Sequence, residues 1–259
     1  MHTRLVALTL GLGLAVAVSA EEFEDYPQFR YMSGLPGGGY AVDPDGYVGF
    51  DGALQLNIPV AYTPSSGNYL GTYHSSAVNG GVEISFGGDD ANGTGTIAAG
   101  FGPEGNGLYL AAMLTGKGNG GEAAYNMQYQ ILAETDNRPG LAIGVVDILN
   151  MRPEKRSEIF AGGGRSFYIA ATRSYPDARY PSYWTVGFGD GRFNDRPFAG
   201  VCVDVNPRLK LAAEYDGWNI NAGAAWDAWR HDQWHAVVLA GLTDLDRWTV
   251  GATITRCPD

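Results

Sequence analysis

The sequence is short of the residues that usually carry chemistry. Four histidines and two cysteines are spread over 259 residues, which leaves little from which to assemble a metal centre or a catalytic base. Positive charge is scarce too. There are 17 Lys and Arg against 28 Asp and Glu, giving a formal net charge of −11 and a pI near 4.7. A nucleic-acid partner calls for a basic patch, so none is expected. Beyond the first twenty residues, no apolar run reaches the roughly 18 residues that a spanning helix needs. Helical apolar periodicity never persists beyond about two turns. What is abundant is glycine, at 38 residues, and aromatic side chains, with 15 Tyr and 6 Trp. Only 17% of residues are charged, so the composition is that of a folded chain and not of a disordered one.

The start of the chain has the layout of a secretory signal. Met1–Arg4 is a short basic stretch, LVALTLGLGLAVAV is an apolar run too short to span a membrane, and Val18-Ser19-Ala20 places small residues where a signal peptidase cuts. Residues 1–20 are therefore set aside as a cleaved signal. No cysteine follows the apolar run, so no lipid anchor is expected there. Residues 21–46 are rich in Pro and Gly and are expected to be irregular; residues 47–259 are expected to form one β domain. In an oxidising compartment Cys202 and Cys257 can pair. The mid-strand position of Cys202 opposes the bond, and the sequence leaves it open.

Residues 209–226, LKLAAEYDGWNINAGAAW, set the pattern for the rest. Apolar and polar residues alternate at period two on both sides of Asp216-Gly217, a dipeptide suited to a two-residue hairpin turn. Folding the halves about that turn opposes Tyr215 to Trp218 and Ala213 to Ile220 on one face. It opposes Glu214 to Asn219 and Ala212 to Asn221 on the other. The same alternation recurs at Leu54–Ile58, Val82–Phe86, Tyr125–Ile131, Trp184–Phe188, Val201–Val205 and Trp248–Ile254, with Gly-, Asn- and Asp-rich clusters between the runs.

Two architectures place such strands. A soluble β-sandwich buries the apolar faces against each other, and in this chain would be a secreted carbohydrate-binding protein. A membrane barrel turns them to lipid and keeps the polar faces inside. Even strand spacing favours an all-β, antiparallel, up-and-down transmembrane barrel of about 12–14 strands. So do aromatics at strand ends, among them Tyr69, Tyr109, Tyr168, Tyr175, Trp226 and Trp248, and small residues on the apolar face such as Ala213, Ala222, Ala224 and Ala252. In that barrel Ile220 meets lipid and Asn221 the lumen, so arginine is expected to be better tolerated at 221 than at 220. The polar connection 150–165 is expected on the outer side, where such barrels carry their long loops. Both Cys202 and Asp204 face the lumen.

The search for chemistry gives weak candidates. His231 and His235 have the spacing of two ligands on a helix, near Asp227 and Asp232, but they fall in a turn between strands without a third ligand. His74 and Ser75 are neighbours on a strand, so they point to opposite faces and His74 cannot activate that serine directly; a barrel lipid hydrolase is accordingly the least favoured reading. Asp43, Asp45 and Asp51 make a partial calcium loop that lacks the third early oxygen ligand and the terminal Glu. No metal, no cofactor and no catalysis are expected. Asp204, Glu214, Asn219 and Asn221 are the lumen-lining candidates. They could contact sugar hydroxyls, or could simply fill the lumen with Lys210, Arg173 or Arg192 as cationic partners.

The stretch PRLKLAAEYDGWNINAGAAW resembles the strand–EYDG–strand hairpin of the YjbH-type outer-membrane proteins. SFYIAATRSYP and YWTVGFGDGRF are similar to that family's preceding strand pair, AGVCVDVNPRLKL to its next strand and turn, and GLTDLDRWTVGATIT to its closing pair. The resemblance covers roughly residues 141–256. It implies an outer-membrane barrel, in contact with outer-membrane lipid, with a part in exopolysaccharide export or cell-surface assembly and a polysaccharide as the further candidate partner. Family members are often longer, with two barrel units, and many are lipoproteins.

Overall fold

In a computed structural model of the protein, residues 34–76, 94–115, 123–149, 165–245 and 247–257 are described. Two short strands, β1 (Ala41–Val42) and β2 (Val48–Gly49), pair with each other. Twelve more close into a barrel: β3 (Tyr69–Ser76), β4 (Thr94–Phe101), β5 (Leu108–Thr115), β6 (Ala123–Leu132), β7 (Gly140–Val146), β8 (Ser166–Tyr175), β9 (Ser182–Gly189), β10 (Arg196–Asn206), β11 (Leu209–Tyr215), β12 (Ile220–His231), β13 (Trp234–Thr243) and β14 (Arg247–Arg256). Each is antiparallel to the next, and β14 returns to β3 through pairs such as Thr253–Thr72 and Ile254–Gly71. Closure removes every sheet edge and excludes the two-sheet sandwich.

Up-and-down winding sorts the connections between two mouths. The loops 190–195 and 216–219 and the strand ends Ser76, Thr94, Thr115, Ala123, Val146, Ser166, Thr243 and Arg247 lie at one mouth, where the longer connections of the sequence leave and re-enter the wall, the long-connection mouth. The turns 102–107, 133–139, 176–181, 207–208 and 232–233 lie at the other, together with the start of β3 and Cys257. The run Val82–Phe86, the signal segment and most of the connection 150–165 fall outside the described residues.

The barrel begins at Tyr69, not at residue 47. Residues 34–68 form no barrel strand; they fold inside the lumen as a plug. Leu54, Leu56 and Ile58 alternate with Gln55 and Asn57 as expected of a strand, yet all five are buried and none belongs to a ladder of the barrel. Period-two alternation reports an extended backbone, and an extended segment threaded through a lumen has it as much as a sheet strand does. Three apolar clusters join plug to wall. Leu35, Ile58 and Ala61 meet Met113, Tyr168 and Phe198; Phe50, Leu54 and Leu56 meet Cys202, Val237 and Leu239; Tyr40, Val42, Val60 and Tyr62 meet Leu70, Tyr109 and Ala111.

Glycine on the inner wall makes the room. A Cβ on Gly100 would lie 2.3 Å from the carbonyl oxygens of Pro64 and Ser65, one on Gly200 would lie 2.5 Å from Gln55 Oε1, and those on Gly223 and Gly241 would press on Leu56. The aromatic positions split accordingly. Tyr69, Tyr175, Trp226 and Trp248 are exposed on the outer wall, whereas Tyr109 and Tyr168 point inward and are buried. Cys202 and Cys257 are free thiols; Cys202 lies beneath the plug, its Sγ accepting the Leu54 amide at 3.2 Å.

The 209–226 hairpin keeps its two faces but shifts its register by two residues. Tyr215 opposes Ile220, Ala213 opposes Ala222, and Glu214 opposes Asn221. The connection is a four-residue loop, 216–219, because Asp216 spends its carboxylate on it. Oδ1 accepts the amides of Trp218 and Asn219 at 2.9 and 3.0 Å, and the Asp216 amide donates to the Asn219 carbonyl. Gly217, at φ +100°, supplies the left-handed residue the loop requires.

The two kinds of glycine on β4 give a direct test. Gly100→Val should lower stability by about 1–3 kcal/mol, the range for overpacking, because the plug's main chain must move. Gly95→Val, on the outer face with open space around it, should be neutral or mildly stabilising. Denaturant unfolding of both variants in detergent micelles measures the difference; equal effects would mean that no plug lies against Gly100.

Candidate functional site

The outer wall is the first functional surface. At mid-height its outward residues include Ile97, Leu110, Ile143, Ile169, Val186 and Val238, all exposed, Ile97 by 71%. Between them stand Ala99, Ala112, Ala171, Ala199, Ala224 and Ala240. Aromatics ring both ends: Tyr69, Phe101, Tyr129, Tyr175, Trp229 and Trp234 at the short-turn mouth, and Phe167, Phe188 and Trp248 at the other. Two shallow concavities of about 720 and 490 Å³ lie along this wall, lined mainly by apolar side chains. Arg173 also faces outward, near the short-turn rim. Its guanidinium is taken up by the carbonyls of turn 133–139, reaching Arg138 O at 2.9 Å and Asp136 O at 2.6 Å. It is therefore not a lumen cation, contrary to the expectation from sequence.

The second surface is where the wall grips the plug. At the long-connection mouth, Glu214 on β11 accepts the Leu56 and Asn57 amides at 2.9 and 2.6 Å. Asp216 Oδ2 accepts Asn57 Nδ2 at 2.8 Å. Arg192 sits in the 3₁₀ turn Gly191–Phe193 between β9 and β10; it donates to the Asn57 carbonyl at 2.9 Å and also to Asn57 Oδ1. Asn221 donates to both carboxylates, at 3.1 Å to Glu214 and 2.8 Å to Asp216, while its Oδ1 accepts the Asp244 amide. Both the main chain and the side chain of Asn57 are thus bound by ionisable groups of the wall. All these groups are buried, where charge-assisted hydrogen bonds are strongest and an unmet one is most costly.

Further down, Asn126 and Gln128 donate to the carbonyls of Gly34 and Val60, Gln130 and Thr172 accept the amides of Thr63 and Ala61, and Thr253 donates to Gly39 O. At the short-turn mouth the Tyr62 hydroxyl donates to Glu134 and the Tyr47 hydroxyl to Glu104. Burial and the Glu134 carboxylate hold the Tyr62 phenol far above its ordinary range. The hydrogen bond to Glu104 pushes Tyr47 up to about 12. Both phenols therefore keep their proton and remain donors.

Of the four residues expected in the lumen, Glu214 and Asn221 meet in the Asn57 network. Asn219 contributes its amide to Asp216 from the adjoining loop. Asp204 lies apart, nearer the short-turn mouth, in an ion pair with Lys210, whose ammonium sits 5.2 and 5.0 Å from the rings of Phe50 and Tyr183. Asn57, Asp216 and Arg192 carry more of the site than sequence indicated. Asp216 read as a turn residue, Asn57 as the polar face of a strand, and Arg192 as one of three interchangeable cations.

The weaker candidates do not assemble. His231 ends β12, is exposed, and pairs with Asp232 at 3.0 Å, whereas His235 is on β13 beside Gly49. Asp43 Oδ1 caps its own turn by accepting the amides of Asp45 and Tyr47, and Asp51 lies 3.8 Å from Arg230. Among the described residues no group of three or more His, Cys, Asp or Glu is placed to hold a metal ion. No protein-family model matches this chain, and no curated protein matches it.

Three substitutions test the network. Arg192→Met should lower stability by about 1.5–3 kcal/mol, the range for a hydrogen bond to a charged group. Arg192→Lys should recover only part, since the shorter ammonium side chain lacks the planar guanidinium whose Nη2 serves both Asn57 O and Oδ1. Asn221→Arg, expected from sequence to cost less than arginine at 220, should destabilise comparably, because the site is filled and already hydrogen-bonded. Unfolding curves in micelles measure all three, and a silent Arg192→Met would remove Arg192 from the network.

Proposed function

We propose that this protein is a non-catalytic outer-membrane β-barrel whose lumen is closed by its own N-terminal segment. One observation carries the reading: the outward face is apolar at mid-height around the described wall and is bounded by aromatic rims. In water such a surface would be an aggregation site far larger than monomeric proteins expose. Against hydrocarbon it is what a barrel requires, and aromatic rings suit the two interfaces. Long connections at one mouth and short turns at the other agree with an outer-membrane orientation, the long ones outside. The charged side chains of the lumen hold the plug or one another, which supports a structural role for them rather than a catalytic one.

The finer assignment, to exopolysaccharide export or cell-surface assembly, rests on the resemblance of residues 141–256 to the YjbH-type proteins. Its physical condition is clear from the lumen: a polysaccharide passes through this barrel only after residues 34–68 have moved.

The outer wall is tested with Val238→Arg, which should cost about 2–4 kcal/mol for a cation near the bilayer midplane. Asp177→Arg, on the turn 176–181, should cost close to nothing. Folding into lipid vesicles measures both, alongside fractionation, in which the protein should follow the outer membrane and need detergent. Equal penalties, or release with the soluble periplasm, would refute the membrane reading. For the finer assignment, cells lacking the protein should show less surface or released polysaccharide, measured as total hexose; unchanged hexose would remove that assignment and leave the membrane reading standing.

A further inference from the structure

Among the described residues, the plug is covalently joined to the wall only where Asn68 runs into Tyr69. Both cysteines are free. The plug's own regular structure amounts to β1 and β2 and the isolated bridges Gly38–Gln55 and Val42–Ala53. Little inside the plug therefore resists its movement; what holds it is the wall.

The wall would survive its departure. Where the plug's chain lies closest to the wall the positions are glycine, as at Gly100, Gly200, Gly223 and Gly241, so its departure would leave open space between larger inward side chains such as Met113, Tyr109, Tyr168 and Phe198. The groups that hold the plug's main chain, including Glu214, Gln128, Gln130 and Thr172, belong to the wall and are polar, so water can satisfy them once the plug has gone. The strands need no plug contact for their ladders, which are complete around the closed barrel.

At the long-connection mouth the fastening converges on one residue. Asn57 is held by Glu214, Asp216 and Arg192 together. An amide suits this position because it offers donors to the carboxylates and an acceptor to the guanidinium. A charged residue there could match only one of the two.

We infer that residues 34–68 are a gate, latched shut at Asn57, whose release opens an aqueous path through the barrel. The gating itself stands on the lumen geometry; its meaning as a transport path rests on the membrane reading above.

Cys202 is a built-in reporter. It is fully buried with Leu54 over it, so a water-soluble maleimide reaches it only when the plug has moved. In a Cys257→Ser background, in detergent micelles, Asn57→Asp places a third carboxylate beside Glu214 and Asp216. It should raise the labelling rate of Cys202 by about tenfold or more, as expected when a charge-assisted hydrogen bond is lost, while the folded barrel's gel mobility and β-sheet circular dichroism stay unchanged. Asn57→Ala should give a smaller rise and serves if Asn57→Asp does not fold. In planar bilayers Asn57→Asp should show conductance steps absent from the parent protein. The proposal is overturned if Cys202 stays unreactive in the folded variants, or reacts only in the fraction whose strands have also unfolded; the plug would then be permanent core. Labelling in micelles reads the gate even if the protein never partitions into membranes, so the two readings fail separately.

Discussion

A closed barrel that turns most of its apolar side chains outward cannot fill its interior by itself, and everything else in this structure follows from how the lumen is filled. Twelve strands enclose more space than their inward side chains occupy, particularly when so many of those are glycine and alanine. The plug supplies the missing volume. Leu54, Leu56, Ile58 and Val60 give the inner wall apolar surface to bury, and Gly100, Gly200, Gly223 and Gly241 give the plug somewhere to lie. Plug and wall thus make one core between them, divided into three clusters that each draw on both.

The plug is mostly irregular, so its peptide groups need partners that a ladder would otherwise provide. The wall provides them from side chains: Glu214 for the amides of Leu56 and Asn57, Gln128 for the carbonyl of Val60, Gln130 for the amide of Thr63. Charge enters the lumen on those terms. Burying a carboxylate is unfavourable unless several donors meet it, and Glu214 receives three, two from the plug and one from Asn221. Lys210 is buried under the same condition, against Asp204 and between two rings. The polar lumen is therefore a set of specific contacts, distinct from a generally wet lining.

Much of the wall was legible in the sequence. The runs at Tyr125–Ile131, Trp184–Phe188, Val201–Val205 and Trp248–Ile254 are barrel strands with their apolar residues outward, and closure brings the expected up-and-down order. The plug was not legible, because Leu54–Ile58 alternates like any strand and nothing in its composition says that both of its sides are covered. The hairpin register was missed for a related reason. A two-residue shift preserves both faces, so the pattern admits either pairing. The choice fell to the Asp216 carboxylate, which holds the loop and at the same time reaches across the lumen to Asn57.

By itself the sequence determined which side chains share a face, that the chain is all-β, and that its apolar face has to meet something other than water. Those properties follow from period two and composition, and they hold whatever the strands pair with. Only the tertiary structure decided where the barrel begins, what fills it, and which polar groups meet. Contacts such as Asn57 with Glu214, Asp216 and Arg192 join residues far apart in the chain. Their meeting depends on the stagger at which the sheet closes and on the path of the plug inside it, and local pattern carries neither.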